Sequence, residues 1–427
     1  MSLPLAWVTG AVGLTVLTDG VPGALGDRCW IDGAIPTPAD IVGFRADGAV
    51  LMPLAPLQGL RPGARVVGCG RPGGLPSPGA ARGRVLDGIG RPRDAGPAVR
   101  HGDLPRQAET PPLALRRAYP GPWVTGIRVL DALVTLARGQ RVGIFAGPGV
   151  GKTTLLHDLL AHATYDLAVV GLIGERGREA AAFWRGLPAD TRRRTATVLA
   201  TADDPPLLRL HAMDAAARWA AAAAWDGANV LLIVDSVTRA AHAAREVGLA
   251  TGESAAARGY PPSLFARLPR WFEQAGAFAT GTVTALYTVL LDADDPDDPV
   301  GDAVRGLLDG HIVLDRQRAE RHAFPAVDPL RSLSRPQLDL LNPTQQALVR
   351  TAREALGRAA ELQDMVAVGA YQPGRDPSVD QALRRAAAVQ EWSRQPSGES
   401  TSWEETWRQL SQLLQETDAR SPVPERS

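Results

Sequence analysis

One lysine in this chain occupies a position where an ammonium group can bind phosphate. The 427 residues include 46 lysines and arginines, and Lys152 is the only lysine among them. It lies in Ala146–Thr153, which runs Ala-Gly-Pro-Gly-Val-Gly-Lys-Thr. The terminal phosphates of a nucleotide inside a tight backbone loop need a compact ammonium, whereas a guanidinium is planar and bulky. The spacing therefore predicts a phosphate-binding loop of the Walker A type.

The glycines of this loop let backbone N–H groups converge on phosphate oxygens. The expected nucleotide-binding residues are Gly147, Pro148, Gly149, Val150, Gly151, Lys152, Thr153 and Thr154. The hydroxyl of Thr153 would bind Mg²⁺. The strict pattern starts with glycine, and Ala146 stands there instead. A plain glycine-rich turn is the alternative, but the strand predicted before the loop and the helix predicted after it favour a nucleotide site.

Two acidic residues follow apolar stretches elsewhere in the chain. Asp235 ends the run Val-Leu-Leu-Ile-Val-Asp, which would carry a carboxylate to the edge of a sheet beside the Mg²⁺ of the loop. Glu175 follows a strand that can neighbour the strand of the loop, and a carboxylate there could polarise water for attack on the γ-phosphate. The alternative for Glu175 is an ion pair with Arg176 or Arg178 in a surface turn.

Two arginines lie where they could contact phosphate. Arg239 comes four residues after Asp235, near the same predicted edge. Arg335 follows the last predicted strand of the sheet by about 20 residues, a side from which an arginine reaches a neighbouring subunit rather than its own nucleotide. It is therefore a candidate arginine finger. Most of the remaining arginines are expected to be solvated surface charges.

Strands and helices alternate in the part of the chain that holds these residues, from Trp123 to about Pro343. This alternation predicts a parallel sheet covered on both faces, with a long alanine-rich helix at Leu207–Trp225. The candidate strands are Arg141–Phe145, Leu167–Ile173, Ala196–Leu199, Val230–Val234, Thr282–Leu291 and His311–Leu314. The helix after the phosphate loop is expected at Thr153–Ala161.

Residues 1 to about 92 have short apolar runs separated by glycine and proline, which is typical of a small β-barrel. The candidate strands are Ala11–Leu17, Arg28–Ile31, Ile41–Phe44, Ala49–Met52 and Ala64–Val67, with Gly83–Pro92 closing the barrel. The apolar stretch Leu3–Leu17 lacks a basic flank and contains glycine and threonine, so it is expected to form paired strands rather than a signal peptide or a membrane span.

From Thr344 onward the pattern is helical. The helices are expected at Gln345–Val366, Ser378–Trp392 and Ser402–Glu416, followed by a disordered tail at Ala419–Ser427. The stripe Trp403, Trp407, Leu410 and Leu414 has the spacing of plain core packing. The predicted domains are 1–92, a β-barrel; 93–343, a nucleotide-binding domain that begins with an extended connector to Pro122; and 344–427, a helical domain.

The composition excludes some classes of protein. The 46 acidic residues balance the basic ones, so the formal net charge is zero. This argues against a protein that binds nucleic acid mainly by neutralising phosphates. Cys29 and Cys69 are the only cysteines, and they are expected to be free thiols without the spacing of metal ligands.

Together these segments resemble the catalytic subunits of the rotary ATP synthase superfamily, and most closely the type III secretion ATPases, which include the flagellar export ATPase. The resemblance extends from about residue 8 to residue 395. Its motifs include Thr125–Arg128 (TGIR), the phosphate loop, Gly174–Glu179 (GERGRE), Asp235–Arg239 (DSVTR), Pro325–Asp328 (PAVD) and Gly369–Gly374 (GAYQPG). It implies an N-terminal β-barrel, a central RecA-like α/β domain with a parallel sheet, and a C-terminal helical domain.

The resemblance also implies a role for each candidate residue. Lys152 and Thr153 bind phosphates and Mg²⁺, and Asp235 holds the Mg²⁺ shell. Glu175 is the carboxylate that positions and activates water, and Arg239 contacts the region of the γ-phosphate.

Further roles implied by the resemblance concern subunit contacts and the base. Arg335 is the finger offered to the adjacent subunit. Phe324 stands where the family often has tyrosine and would stack on adenine, because a phenyl ring keeps the π-face. Tyr371 lies near the base, and Gly252–Pro262 corresponds to the loop that lines the central channel of the ring.

One chain carries both the catalytic glutamate and the finger, which ATP synthase divides between two subunit types. The resemblance therefore implies a homohexamer whose Mg²⁺-dependent ATP hydrolysis powers or assists type III secretion, releasing chaperones and unfolding secreted proteins for an export gate. The expected location is cytoplasmic, at the inner membrane through the secretion apparatus. The export ATPases that the chain resembles usually have a longer N-terminal segment that meets a stator, whereas this chain starts at about Trp7, so the resemblance leaves stator binding open or places it on another surface. The alternatives are a synthase-type subunit, a ring-shaped nucleic-acid translocase or a non-hydrolysing scaffold.

Overall fold

A computed structural model of the chain describes residues 5–102, 104, 111–290, 298–367, 371–372 and 374–419. The predicted tail after Ala419, residues 103 and 105–110 of the predicted connector, and Gly369, Ala370 and Pro373 lie outside these ranges. The described residues pack as two compact units. The first draws on Met1–Arg117, Tyr165–Leu290 and Asp295–Leu307, and the second on Ala118–Thr164 and Leu308–Ser427.

The strands of the described residues are β1 (Leu5–Val12), β2 (Thr15–Asp19), β3 (Arg28–Ile31), β4 (Thr37–Arg45), β5 (Gly48–Pro53), β6 (Arg65–Gly70), β7 (Val85–Leu86), β8 (Arg141–Ala146), β9 (Leu167–Glu175), β10 (Thr195–Thr201), β11 (Asn229–Asp235), β12 (Gly276–Ala277), β13 (Thr282–Leu290), β14 (Gly310–Val313) and β15 (Leu333–Ser334).

The α-helices of the same residues are α1 (Pro78–Ala81), α2 (Lys152–His162), α3 (Gly177–Gly186), α4 (Ala189–Arg193), α5 (Pro206–Trp225), α6 (Val237–Ala250), α7 (Pro262–Phe272), α8 (Pro299–Leu307), α9 (Arg316–Glu320), α10 (Gln337–Leu340), α11 (Pro343–Ala367), α12 (Pro377–Trp392) and α13 (Trp403–Ala419). None of these helices is long and apolar enough to cross a lipid bilayer.

The first unit begins with a closed barrel in the order β1-β2-β5-β4-β3-β6, in which each neighbouring pair is antiparallel. Side chains of β1 alternate, so that Ala6 and Val8 point into the apolar core while Leu5 and Trp7 face solvent. The paired strands predicted within the first 17 residues are confirmed as β1 and β2. A turn at Gly13, where φ is +57°, separates β1 from β2, so the candidate strand Ala11–Leu17 is divided between the two.

The closing of the barrel differs from the prediction for Gly83–Pro92. Pairing of β1 with β6 closes the barrel, whereas β7 lies parallel to β10 in a separate sheet. The reason is a tight turn directly after β7. The side chain of Asp87 accepts the backbone N–H groups of Ile89 and Arg91, each at 2.9 Å, and so ends the strand after two residues.

The rest of the first unit is a sheet in which β13, β11, β9, β10 and β7 follow one another in parallel, with β12 antiparallel to β13. Every residue of β9 is buried, as expected for a strand covered on both faces. Helix α5 is also buried on nearly all sides, because its alanines let it pack closely against its neighbours.

In the second unit β8 pairs in parallel with β14, and β15 pairs antiparallel with β14. The three C-terminal helices predicted from periodicity are present as α11, α12 and α13, with ends within three residues of the expected positions. Trp407, Leu410 and Leu414 are buried on α13, which agrees with core packing as the role of that stripe.

Candidate functional site

The phosphate loop joins β8 to α2 in the second unit. Strand β8 is buried from Val142 to Ala146, and its first residue is fixed by a double hydrogen bond of the Arg141 guanidinium with Asp309, at 2.9 and 3.0 Å. Burial favours the neutral form of Asp309, but Arg141 outweighs it and holds the pKa of that carboxyl below its ordinary value. Helix α2 packs through four buried leucines. Both ends of the loop therefore rest on rigid elements.

Two glycines of the loop have backbone conformations that other residues rarely adopt. Gly149 has φ of +76° and Gly151 has φ of +92°. A Cβ atom on Gly151 would also lie 3.1 Å from Cε1 of Phe324. Gly151 is the N-cap of α2, and no side chain of the described residues caps it. The first N–H groups of the helix therefore point out of its N-terminus, as in helices that bind anions.

The side chains after Gly151 are accessible. Lys152 is half-buried at the start of α2, and Thr153 and Thr154 are exposed. Pro148 is exposed in the loop, while Val150 is buried beneath it. An ammonium and two hydroxyls thus lie at the positive end of the helix dipole, where negative charge is stabilised.

The predicted base-stacking residue lies beside this loop. Phe324 is half-buried, with its ring against Gly151. Its carbonyl accepts the backbone N–H of Gln395 at 2.9 Å. Gln395 belongs to the α12–α13 loop, residues 393–402, which also contacts α2: the Ser397 hydroxyl and the Gly398 N–H donate to Asp158 at 2.8 and 3.0 Å. One segment therefore fixes both the aromatic ring and the helix that begins at the loop.

The other two residues predicted in this unit lie in different surroundings. The Tyr371 hydroxyl donates to Asp380 of α12 at 2.9 Å, and no contact of the described residues joins it to Phe324 or the phosphate loop. Arg335 is exposed directly after β15, where its backbone N–H donates to the carbonyl of Asp309 at 3.0 Å. Its guanidinium therefore extends from a fixed backbone position on the surface of this unit.

The first unit holds the predicted carboxylates, and we call Glu175, Arg239, Asp235 and Thr288 the carboxylate cluster. Glu175 ends β9 and is 8% exposed. Its Oε1 accepts from Nε of Arg239 on α6 at 3.1 Å. The alternative was a pair with Arg176 or Arg178 in a surface turn, whereas Glu175 is buried against Arg239 and Arg176 faces Glu179 at 3.9 Å.

Asp235 ends β11 and is 4% exposed. Its Oδ1 accepts from the hydroxyl of Thr288 on β13 at 2.7 Å. The following residue, Ser236, is the N-cap of α6, and its hydroxyl accepts the backbone N–H of Arg239 at 3.3 Å. Because β9 and β11 are parallel neighbours, Glu175 and Asp235 lie at the same edge of the sheet.

The prediction that the strand of Glu175 neighbours the strand of the phosphate loop is wrong. One edge of β9 pairs with β10 and the other with β11 over most of its length, so no edge remains for β8. Alternation of strands and helices along the chain reveals that strands are parallel, but it does not reveal their order.

The chemistry of the two predicted metal ligands, one in each unit, suits a magnesium ion that is bound together with a nucleotide. No group of three or more histidine, cysteine or acidic side chains that could hold a metal by itself occurs among the described residues. Mg²⁺ bound with nucleotides takes one or two protein oxygens and fills its shell with phosphate and water. The carboxylate of Asp235 and the hydroxyl of Thr153 are ligands of that kind.

Sequence reasoning missed two residues that the structure brings to these clusters. Thr288 contacts Asp235, and a Cβ atom on Gly147 would lie 3.1 Å from Nη2 of Arg316. The signal for Arg316 was its place three residues after the end of β14, the strand that runs parallel to β8. No comparable signal marks Thr288, which lies within an apolar strand.

Comparison with known proteins gives consistent matches along most of the chain. Residues 126–334 match the ATP synthase alpha/beta family, nucleotide-binding domain, and residues 341–412 match the T3SS EscN ATPase C-terminal domain. The chain is 40% identical over 412 residues to the flagellum-specific ATP synthase of Pseudomonas aeruginosa, covering 94% of this chain and 91% of the relative. It is also 40% identical over 411 residues to the type 3 secretion system ATPase of Xanthomonas euvesicatoria, covering 95% and 93%.

Solved structures agree with these matches. The assembled ATPase EscN from the type III secretion system of enteropathogenic E. coli is 35% identical and aligns with a TM-score of 0.90 over 96% of this chain and 100% of its own. EscN in complex with its central stalk EscO aligns with a TM-score of 0.87 at 34% identity. These matches confirm the resemblance, and they confirm the predicted succession of barrel, parallel α/β part and C-terminal helices.

Proposed function

The chain belongs to the type III secretion ATPases of the ATP synthase alpha/beta family, and from that premise we propose that identical copies of it form a hexameric ring that hydrolyses MgATP to assist protein export. The observation that carries the proposal is the phosphate loop. Its only lysine starts a helix whose N-terminus no described side chain caps, and its glycines have the left-handed conformations that such a loop needs. That an ATPase acts here follows from the family itself.

In the proposed reaction, water attacks the γ-phosphorus while the bond from that phosphorus to the β,γ-bridging oxygen breaks and ADP leaves. Lys152 and the N–H groups of the loop bind the phosphates, and Thr153 and Asp235 hold Mg²⁺, which neutralises phosphate charge when bound. Glu175 orients the water and accepts its proton, while Arg239 holds Glu175 in position and contacts the region of the γ-phosphate. Catalysis rests on positioning and on charge stabilisation.

The proposal of shared sites is supported by the surroundings of Arg335. It is exposed, and its backbone is held by Asp309. The same chain carries Glu175, so a ring of identical copies has both parts of each site, with Arg335 of one copy completing the site of the next. We propose Phe324, with Tyr371, as the aromatic contacts of the base.

The partners follow from the proposed role in export. EscN was solved as an assembled ATPase and with its central stalk EscO. For this chain we propose a homohexamer that acts on secreted proteins and their chaperones in the cytoplasm, at the export gate of the inner membrane. Nucleic acid has no role in this proposal, and RNA or DNA should leave the rate of hydrolysis unchanged.

Because Lys152 is the only lysine in the sequence, amine acylation tests its role directly. A reagent such as acetic anhydride has just one ε-amino group to modify, and peptide mass spectrometry separates it from the N-terminal amine. MgATP should protect Lys152 and leave the N-terminal amine as reactive as before. Equal acylation of Lys152 with and without saturating MgATP would show that the ammonium does not meet the nucleotide.

Mixing variants tests the shared site. Lys152→Ala should abolish turnover and weaken ATP binding, Glu175→Gln should bind ATP yet lose most turnover, and Arg335→Ala should lower hydrolysis by about 10³-fold. Mixtures of Lys152→Ala and Arg335→Ala chains should regain activity, because some interfaces then combine an intact loop with an intact finger. Failure to regain activity at every mixing ratio, with hexamers present by light scattering, would contradict the assignment of Arg335.

A further inference from the structure

Arg316 lies against the end of the phosphate loop opposite to Phe324. Its Nη2 is 3.1 Å from the place where a Cβ atom of Gly147 would be. The side chain is exposed, and no hydrogen bond or ion pair within the part of the chain that the structure describes holds its guanidinium. By contrast, Arg318 of the same helix donates to the Ser393 hydroxyl at 2.9 Å. Arg316 is thus a cation beside the loop with its donors available.

The path of the chain explains this position. Strand β14 runs parallel to β8, with Val313 opposite Phe145, and the N–H of Leu314 donates to the carbonyl of Phe145 at 2.9 Å. Parallel strands end at the same edge, so the residues after β14 meet the loop that follows β8. Asp315 then caps α9 by accepting the N–H of Arg318 at 2.7 Å, which fixes the start of the helix and with it Arg316.

The two neighbours of the loop distinguish its ends. The ring of Phe324 lies at Gly151, and Arg316 lies at Gly147. A nucleotide whose base stacks on Phe324 extends its phosphates away from that ring, so its terminal phosphate is directed toward Gly147. A guanidinium there has several N–H donors and a full positive charge for phosphate oxygens.

We propose that Arg316 contacts the terminal phosphate of the bound triphosphate and thereby makes the site prefer ATP over ADP. This inference rests on the proposed nucleotide site and adds a further cation of the same chain to it. Lys152 reaches the phosphates from the N-terminus of α2, whereas Arg316 approaches from the strand beside the loop. A diphosphate lacks the group that Arg316 would bind, so the two nucleotides should respond differently to its loss.

The test is equilibrium binding to the full-length protein. Calorimetry with Mg²⁺ and either the non-hydrolysable β,γ-imido analogue of ATP or ADP would compare the wild type with Arg316→Ala, Arg316→Lys and Lys152→Ala. Arg321→Ala is the matched control, since it removes one exposed arginine at the other end of α9. Circular dichroism melting would check that each variant folds.

Arg316→Ala should weaken binding of the triphosphate analogue by about tenfold or more, as expected for a lost charged hydrogen bond, and change ADP binding less than twofold. Arg316→Lys should fall between, and Arg321→Ala should match the wild type. An equal loss for both nucleotides, or none for either, would overturn the inference. Should Lys152→Ala bind like the wild type, the proposed site itself fails; a loss in Lys152→Ala without one in Arg316→Ala refutes only the role of Arg316. If Arg316→Ala does not fold, Arg316→Lys decides: weaker binding of the triphosphate analogue with unchanged ADP binding supports the inference, and an equal loss for both nucleotides, or none for either, overturns it.

Discussion

Replacing Gly174 by alanine should displace the side chain of Arg239 while leaving its positive charge in the protein. Gly174 precedes Glu175 in β9 and has φ of +72°. An added Cβ atom would lie 2.8 Å from Cβ of Arg239 and 2.9 Å from its Cδ. Both distances are shorter than atoms tolerate, so the stem of Arg239 must move. Its Nε then leaves the carboxylate of Glu175, which it contacts at 3.1 Å.

The size of the effect follows from two contributions. A left-handed backbone costs a residue with a Cβ atom about 1–2 kcal/mol, and forcing an extra carbon into a packed place costs about 1–3 kcal/mol. The side chain of Arg239 is 34% exposed, so loss of the ion pair itself adds little to the free energy of unfolding. We therefore expect a destabilisation of about 2–5 kcal/mol. Turnover should fall about tenfold to a hundredfold, because Glu175 loses the group that orients it.

Gly59→Ala is the matched control. Gly59 has φ of +70°, almost the same as Gly174, but no atom lies within 4 Å of its added Cβ. This variant should carry only the backbone cost, about 1–2 kcal/mol, and hydrolyse ATP like the wild type. Urea unfolding and a phosphate-release assay measure both quantities. If Gly174→Ala hydrolyses ATP as fast as Gly59→Ala, the pair of Glu175 with Arg239 has no part in catalysis.

Two other perturbations test the carboxylates. Thr288→Val removes the hydroxyl that donates to Asp235 at 2.7 Å. This variant should need about tenfold more Mg²⁺ for half-maximal hydrolysis, as a lost charged hydrogen bond predicts, whereas Thr288→Ser, which keeps a hydroxyl, should need as much Mg²⁺ as the wild type. Equal Mg²⁺ dependence of the two variants would contradict the role of Thr288. In the barrel, burial favours the neutral form of Asp40, but hydrogen bonds from His211 and Arg28 outweigh it and lower the pKa of Asp40 from 3.8 to about 2. Because this pKa is lower in the folded protein than in the unfolded chain, ionised Asp40 stabilises the fold at a pH above about 4, and about 2 kcal/mol of that stability should be lost as the pH falls from about 4 to about 2. Urea unfolding across this range should show a shallower pH dependence of stability for Asp40→Asn than for the wild type. The same pH dependence in both proteins would refute the assignment.

Much of the fold could be predicted because long apolar runs and helical periodicity are local properties. The run that ends at Asp235 is buried along its length, and the periodicity after Thr344 correctly indicated three helices. Strands β12 and β15 were missed because two residues carry no periodicity, and the segment that contains β7 was assigned to the wrong sheet. Strand order was also beyond reach, since it depends on pairing between distant segments. The boundaries at residues 92 and 343 stay predictions.

The candidate site was predictable where it is made of contiguous motifs. The phosphate loop, the acid at the end of β9 and the acid at the end of β11 each belong to a pattern that is confined to a few consecutive residues. Thr288 and Arg316 act across strands: the register that sets Val234 opposite Tyr287 brings Thr288 next to Asp235, and β14 beside β8 brings Arg316 to the loop. Such neighbours are fixed by tertiary pairing, which no single segment records.

The α12–α13 loop links the C-terminal helices to both Phe324 and α2. Gln395 holds the carbonyl of Phe324, while Ser397 and Gly398 both hold Asp158, one face of the helix that starts at Lys152. Any sliding of α12 against α13 must either drag the aromatic ring and this helix along or rupture three hydrogen bonds, each worth about 1 kcal/mol. A displacement of α12 or α13 would thereby reach both Phe324, the proposed contact of the base, and the helix that follows the phosphate loop.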